Sequence, residues 1–169
     1  MGAQPLMREG PVSEVAVRLF RAGDEDDFRR LNVSWIGKYF GIEPNDLETF
    51  DDPQHKIIDK GGQIFIAELD GEAVGCVGLR TMQTPGHYEL VKMATDERYQ
   101  RRGIGRALMQ AAIEWARQHR VRRLYLETNH TLTPAIRLYE ASGFKHMPPQ
   151  LTPYRRADVF MEMWLEITG

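Results

Sequence analysis

Residues 87–117 constrain this chain more than any other stretch, because they read as strand, loop and helix around a run of glycine and arginine. His87-Tyr88-Glu89-Leu90-Val91-Lys92-Met93 is short, partly β-branched and partly apolar, which predicts a strand. A polar connection over 94–99 leads into Gln100-Arg101-Arg102-Gly103-Ile104-Gly105-Arg106. A helix starts inside that heptapeptide and carries Ile104, Leu108, Ala112 and Trp115 along one face. The first amides of a helix lack intrahelical partners and bear the positive end of its dipole. Glycine at 103 and 105 lets an anion come close to the backbone. Arg101, Arg102 and Arg106 add formal positive charge around the same point. Together these residues make a site for a diphosphate.

The spacing separates this loop from two common nucleotide loops. A Walker loop needs Lys-Ser/Thr after its last glycine, and here Gly105 is followed by Arg106-Ala107. A dinucleotide fingerprint needs a third small residue where this chain has Leu108, and a tight turn straight off the strand where this chain has about nine intervening residues.

Size and charge narrow the class further. The 169 residues suffice for one domain, read here as residues 1–169 with 1–12 as a flexible tail. The net charge of −2 gives no electrostatic footprint for nucleic acid or an anionic membrane. The only cysteine, Cys76, lies in the apolar run Val74-Gly75-Cys76-Val77-Gly78 and reads as a buried small hydrophobe, not a nucleophile. No His/Cys spacing suits a metal, so none is expected. The N-terminus lacks a signal-peptide core, and no apolar run approaches the ~18 residues of a membrane span, so the expected location is cytoplasmic.

Taken in order, the chain gives a first strand near 13–20, then an acidic cap and first turn at Gly23-Asp24-Glu25-Asp26-Asp27. The helix behind it carries Phe28, Leu31, Trp35 and Tyr39, which read as core or as the wall of a pocket. Residues 40–62 are the least regular, with short helices expected after Pro44-Asn45-Asp46 and Pro53. Strands at 63–69 and 73–79 meet through Asp70-Gly71, a hairpin signal. The long helix ends near His119-Arg120, and a strand over 124–127 follows. A helix capped at Thr133-Pro134 runs to Gly143. Residues 157–167 alternate strictly, which predicts one long strand with Val159, Met161 and Met163 inward. Its Phe160 and Trp164 face reads as sheet core or as the interface of a homodimer. The order β-α-α-β-β-β-α-β-α-β is a mixed α/β domain with a mainly antiparallel sheet.

Two motifs in register carry a resemblance. Gln-x-x-Gly-x-Gly at 100–105 is followed by a strand ending in Thr128-Asn129. Then comes Pro134-Ala135-Ile136-Arg137-Leu138-Tyr139-Glu140-Ala141-Ser142-Gly143-Phe144. The pair resembles the GNAT superfamily of N-acetyltransferases, and the order of elements over nearly the whole chain is similar to theirs. The resemblance implies the GNAT fold, a mostly antiparallel sheet with splayed central strands flanked by helices. It implies acetyl-CoA as co-substrate, with Gln100, Arg101, Arg102, Gly103, Ile104, Gly105 and Arg106 around the pyrophosphate. It implies Met93, Ala94 and Thr95 along the pantetheine arm, Asn129 near the pantetheine or acetyl group, and Tyr139 beside the thioester sulfur as acid.

The implied reaction is direct acetyl transfer to an amine of a small molecule or an exposed protein amine, through a ternary complex. Glu89 is the first choice for the base that takes the amine proton, followed by Glu127 and Asp158, then His87 and His130. A non-catalytic acetyl-CoA sensor and a transferase using another acyl-CoA are the alternatives. Arg155 and Arg156, at the start of the last strand, suit an anionic group on the acceptor or a surface turn equally well. Leu90 and Met93, three apart, break strict alternation and point to a bulge in the central strand.

Overall fold

The computed structural model describes residues 14–167, so the proposed tail at 1–12 lies outside the described residues. The sheet has seven strands: β1 (Ala16–Leu19), β2 (Gln63–Leu69), β3 (Glu72–Thr81), β4 (His87–Thr95), β5 (Arg123–Thr128), β6 (Lys145–Met147) and β7 (Val159–Trp164). They lie in the order β1-β2-β3-β4-β5-β7-β6. Every neighbouring pair is antiparallel except β4–β5. The helices are α1 (Glu25–Tyr39), α2 (Pro44–Asp51), α3 (Ile104–Gln118) and α4 (Thr133–Ser142), with a π-helical turn at Gln54–Ile58 and a 3₁₀ turn at Glu97–Tyr99. No helix among the described residues is long and apolar enough to cross a membrane.

Period-two alternation sorts the side chains onto two cores. Phe65, Ala67 and Leu69 of β2 join Leu108, Met109 and Ala112 of α3 on one face. Ile64 and Ile66 join Phe28, Leu31 and Ile36 of α1 on the other. Gly75 is needed on the α3 face, where a Cβ would stand 2.6 Å from Ile104 Cγ2. The hairpin turn places Asp70 at φ 51° and Gly71 at φ 80°, the double positive φ of a type I′ turn.

Several expectations are corrected in detail. The last strand is shorter than 157–167, and Phe160 on its second face is buried beside Met161 and Met163, while Trp164 is exposed. β6 is additional, pairing Lys145, His146 and Met147 with β7. Asp24 stands at the start of α1 but does not cap it. Its carboxylate accepts from the Arg18 guanidinium (2.7 and 2.9 Å) and the Arg21 N–H (2.8 Å) instead. α4 begins at Thr133 with Leu132 before it, one residue earlier than the Thr-Pro cap predicts.

β4 is bulged at its centre. Val91 pairs with Gly78 and Ala94 with Cys76, so Lys92 and Met93 together face Val77, and Lys92 takes φ 54°. The bulge sends both Val91 and Ala94 into the α1-side core. On its other edge β4 pairs with β5 only from His87 to Leu90, while β5 runs on to Thr128 against β7. The two central strands therefore separate after Leu90.

Candidate active site

The separation opens a cleft with two arms. The smaller arm, of about 100 Å³, is lined by Glu89 and Lys92 of β4, Glu127 of β5, Asn129, Tyr154 and Arg156 among others. The larger arm, of about 590 Å³, runs past Met93, Ala94 and Thr95 to residues 100–105. Trp35, Met93, Leu132 and Tyr139 line both arms and form the junction.

The larger arm is built by backbone. From Val91 to Thr95, β4 has no strand partner on its β5 side among the described residues, so polar backbone groups there lack a ladder. Arg101 at φ 61° and Gly103 at φ 73° turn the chain sharply into α3. A Cβ on Gly103 would meet nothing within 4 Å, because the position opens onto the cleft. Gly105 has a different reason: its Cβ would lie 3.2 Å from Leu138 Cδ2, so glycine lets α3 approach α4. Gln100, Arg101, Arg102, Gly103, Ile104 and Gly105 all line this arm. Arg106 does not; it is exposed as the third residue of α3. The open strand edge, the left-handed turn and the first amides of α3 fit an extended ligand that ends in a diphosphate.

Tyr139 stands at the junction, 7% exposed, with its hydroxyl 3.9 Å from Met93 Sδ and its ring edge-on to Phe144. Burial pushes its phenol up to about 12, so it stays protonated through neutral pH. Asn129 lines the smaller arm, but its amide is engaged within the protein. Nδ2 donates to the Arg156 carbonyl (2.8 Å), and Oδ1 accepts from the Thr131 N–H and hydroxyl (2.9 and 2.6 Å).

The candidate bases separate by place. Glu89 and Glu127 both line the smaller arm, on the same face of the parallel β4–β5 pair. Glu89 accepts from Arg80 Nη2 at 3.0 Å. Glu127 is raised, first by burial and then by the neighbouring Glu89 charge, against a hydrogen bond from Thr152. Asp158 is taken by His130 outside the lining, accepting from its backbone N–H (2.8 Å) and lying against its ring Nδ1, and His87 packs edge-on against Trp164. Cys76 is no nucleophile: burial pushes its thiol up to about 12, and Sγ donates to the Lys92 carbonyl at 3.4 Å.

A buried ion cluster that the sequence does not reveal closes the far end. Lys92 Nζ donates to Asp46 Oδ1 (2.7 Å) and to the Tyr154 hydroxyl (3.1 Å). The Arg156 guanidinium meets both Asp46 oxygens (2.8 and 2.6 Å) and Glu43 Oε2 (2.9 Å). Burial alone would raise Asp46, but the hydrogen bonds from Arg156, Lys92 and the Glu43 N–H outweigh it and hold the carboxyl down at about 2. Arg156 is thus spent on α2, not offered to an acceptor. Of the α1 stripe, Phe28 and Leu31 are core, while Trp35 and Tyr39 are cleft wall.

Comparison with known proteins agrees with this architecture. N-acetylaspartate synthetase of Rattus norvegicus is 36% identical over 87 residues, a match covering 52% of this chain but only 29% of the synthetase. A GNAT-family acetyltransferase of Staphylococcus aureus superposes with a TM-score of 0.80 at 19% identity, covering 90% of this chain and 99% of that one. A Bacillus subtilis acetyltransferase solved in complex with CoA gives 0.68 at 18%, covering 90% and 100%. Residues 26–144, from the first turn of α1 to the residue after Gly143, match the acetyltransferase (GNAT) family, and the chain belongs to that family.

Proposed function

We propose that this protein is an acetyl-CoA-dependent N-acetyltransferase that passes the acetyl group directly to an amine in a ternary complex. The observation that carries the reading is the junction of the two arms at Tyr139 and Met93, beside the open edge of β4. The larger arm would hold acetyl-CoA, with residues 93–95 along the pantetheine and 100–105 around the pyrophosphate. Its volume lies within the usual range for sites of this kind. Acetyl-CoA when bound supplies a thioester carbon open to attack and a thiol leaving group.

The chain's own residues do the rest. An aliphatic amine arrives protonated, with a pKa of about 10.4. Glu127 takes its proton, since burial and the Glu89 charge raise its carboxyl above the ordinary value. The freed nitrogen forms the new C–N bond as the C–S bond breaks. A β4 backbone N–H near Met93 steadies the carbonyl oxygen meanwhile. Tyr139 gives its hydroxyl proton to the departing sulfur, the second proton of the nitrogen passes through water to the phenolate, and Glu127 releases the first to solvent. Products are the acetylated amine and CoA thiol, and no covalent enzyme intermediate is required.

Calorimetric titration with acetyl-CoA tests the binding half. In a Gly103→Glu variant a carboxylate would sit at the diphosphate position, on a residue held at φ 73°. The dissociation constant is expected to rise at least about a hundredfold, since like-charge contacts cost several kcal/mol. Equal binding by both proteins would remove the loop from the site. For the transfer half, a Tyr139→Phe variant is expected to bind acetyl-CoA normally and to release CoA thiol ~10²-fold more slowly. Unchanged turnover would end the acid role.

A further inference from the structure

The acceptor arm has an unusual charge account. Around it stand three cations, Arg80, Lys92 and Arg156, and four carboxylates, Glu43, Asp46, Glu89 and Glu127. Both cations that line the arm are already matched: Lys92 by Asp46, and Arg156 by Asp46 and Glu43. The Asp46 side chain is fully buried and that of Lys92 4% exposed, so neither can turn outward to meet a ligand without breaking a desolvated pair. Tyr154 covers the same two charges, with Lys92 Nζ 4.8 Å and Arg156 Cζ 4.6 Å from its ring centroid. Arg80 is committed to Glu89. Glu127 has no ion pair of its own among the described residues, where it feels only the charge of the Arg80 already held by Glu89, and Trp35, Ile36, Phe40 and Leu132 supply apolar wall.

We infer that the acceptor is a cationic alkyl or aralkyl amine with no carboxylate near its amino group, and that Asp46 sets this selectivity by consuming both cations of the arm. An α-amino acid would bring its carboxylate toward Glu89 and Glu127, where no cation among the described residues lining the arm is left unpaired to receive it. The apolar wall suits a hydrocarbon chain or ring behind the nitrogen. The inference rests on the transferase reading above and narrows its substrate class.

The test uses matched pairs that differ only in the α-carboxylate: phenethylamine with phenylalanine, and isoamylamine with leucine. A lysine peptide with blocked termini is run beside cadaverine, to tell a protein amine from a small one. Release of CoA thiol and calorimetric binding to the CoA-saturated protein are both followed. The amine of each pair is expected to exceed its amino acid at least about tenfold in kcat/KM. Selective binding of the amines without turnover would support the charge selection while sinking the transferase reading. An amino acid that binds or reacts as well as its amine overturns the inference, as does binding of neither member of either pair. In an Asp46→Asn variant the ratio within each pair is expected to shrink, because Lys92 and Arg156 lose a counter-charge. Simple destabilisation would lower both members alike and leave the ratio unchanged, which would overturn the role given to Asp46.

Discussion

An Asp46→Ala variant is expected to unfold roughly 10 °C below the wild type, from a loss of ~3–5 kcal/mol. The reason is asymmetry. A buried ion pair adds little over a well-packed apolar substitute, but removing one partner strands the other's charge. Lys92 would be left in the core with no anion, held by the Tyr154 hydroxyl and the Phe50 and Tyr154 rings, and Arg156 would keep Glu43 as its one carboxylate among the described residues. The pH dependence has a definite sign. The Asp46 carboxyl titrates at about 2 in the folded protein, below its ordinary value, so its contribution is present above the ordinary carboxylate range and lost as the pH falls toward 2. The stability gap between wild type and variant should hold steady from pH 5 to neutrality and narrow in acid, by about 2 kcal/mol for a carboxyl lowered from 3.8 to about 2. Thermal unfolding followed across pH measures this. A gap of under about 1 kcal/mol at neutral pH would show the cluster to be dispensable.

Replacing Glu127 by glutamine is expected to lower kcat/KM by ~10²–10⁴-fold while leaving acetyl-CoA affinity within about twofold. Gln keeps the shape and removes the base. The wild type should lose activity as the pH drops through the raised Glu127 value, and the variant should lack that acid limb. A companion Glu89→Gln variant should move the limb to lower pH, because the Glu89 charge is one cause of the rise. Steady-state rates over a pH series decide between the two carboxylates. Full activity in Glu127→Gln with collapse in Glu89→Gln would reassign the base to β4.

Local signals in the sequence carried far. The β2 boundaries, the Asp70-Gly71 turn and the glycine-arginine loop depend on residues within a few places of each other, and their physics is visible in that window. The Leu90–Met93 spacing announces the bulge for the same reason. What pattern reading misses is long range or too short. β6 has three residues, fewer than two periods of alternation, and exists because β7 offers it an edge. Arg156 reads as a free cation until Asp46, 110 residues earlier, is brought against it. Asp24 reads as a cap until Arg18 takes its carboxylate.

The four residues shared by both arms have a consequence for anyone reshaping the enzyme. Trp35, Met93, Leu132 and Tyr139 are a party wall, and a change at any of them alters the seat of donor and acceptor together. Directed evolution toward a new amine would therefore do well to spare them and draw its libraries from Asn32, Ile36, Phe40 and Tyr154, which border the acceptor arm alone. A longer acyl chain on the donor needs the opposite plan. It must push into the wall itself, so acyl preference and amine preference cannot be tuned one without the other.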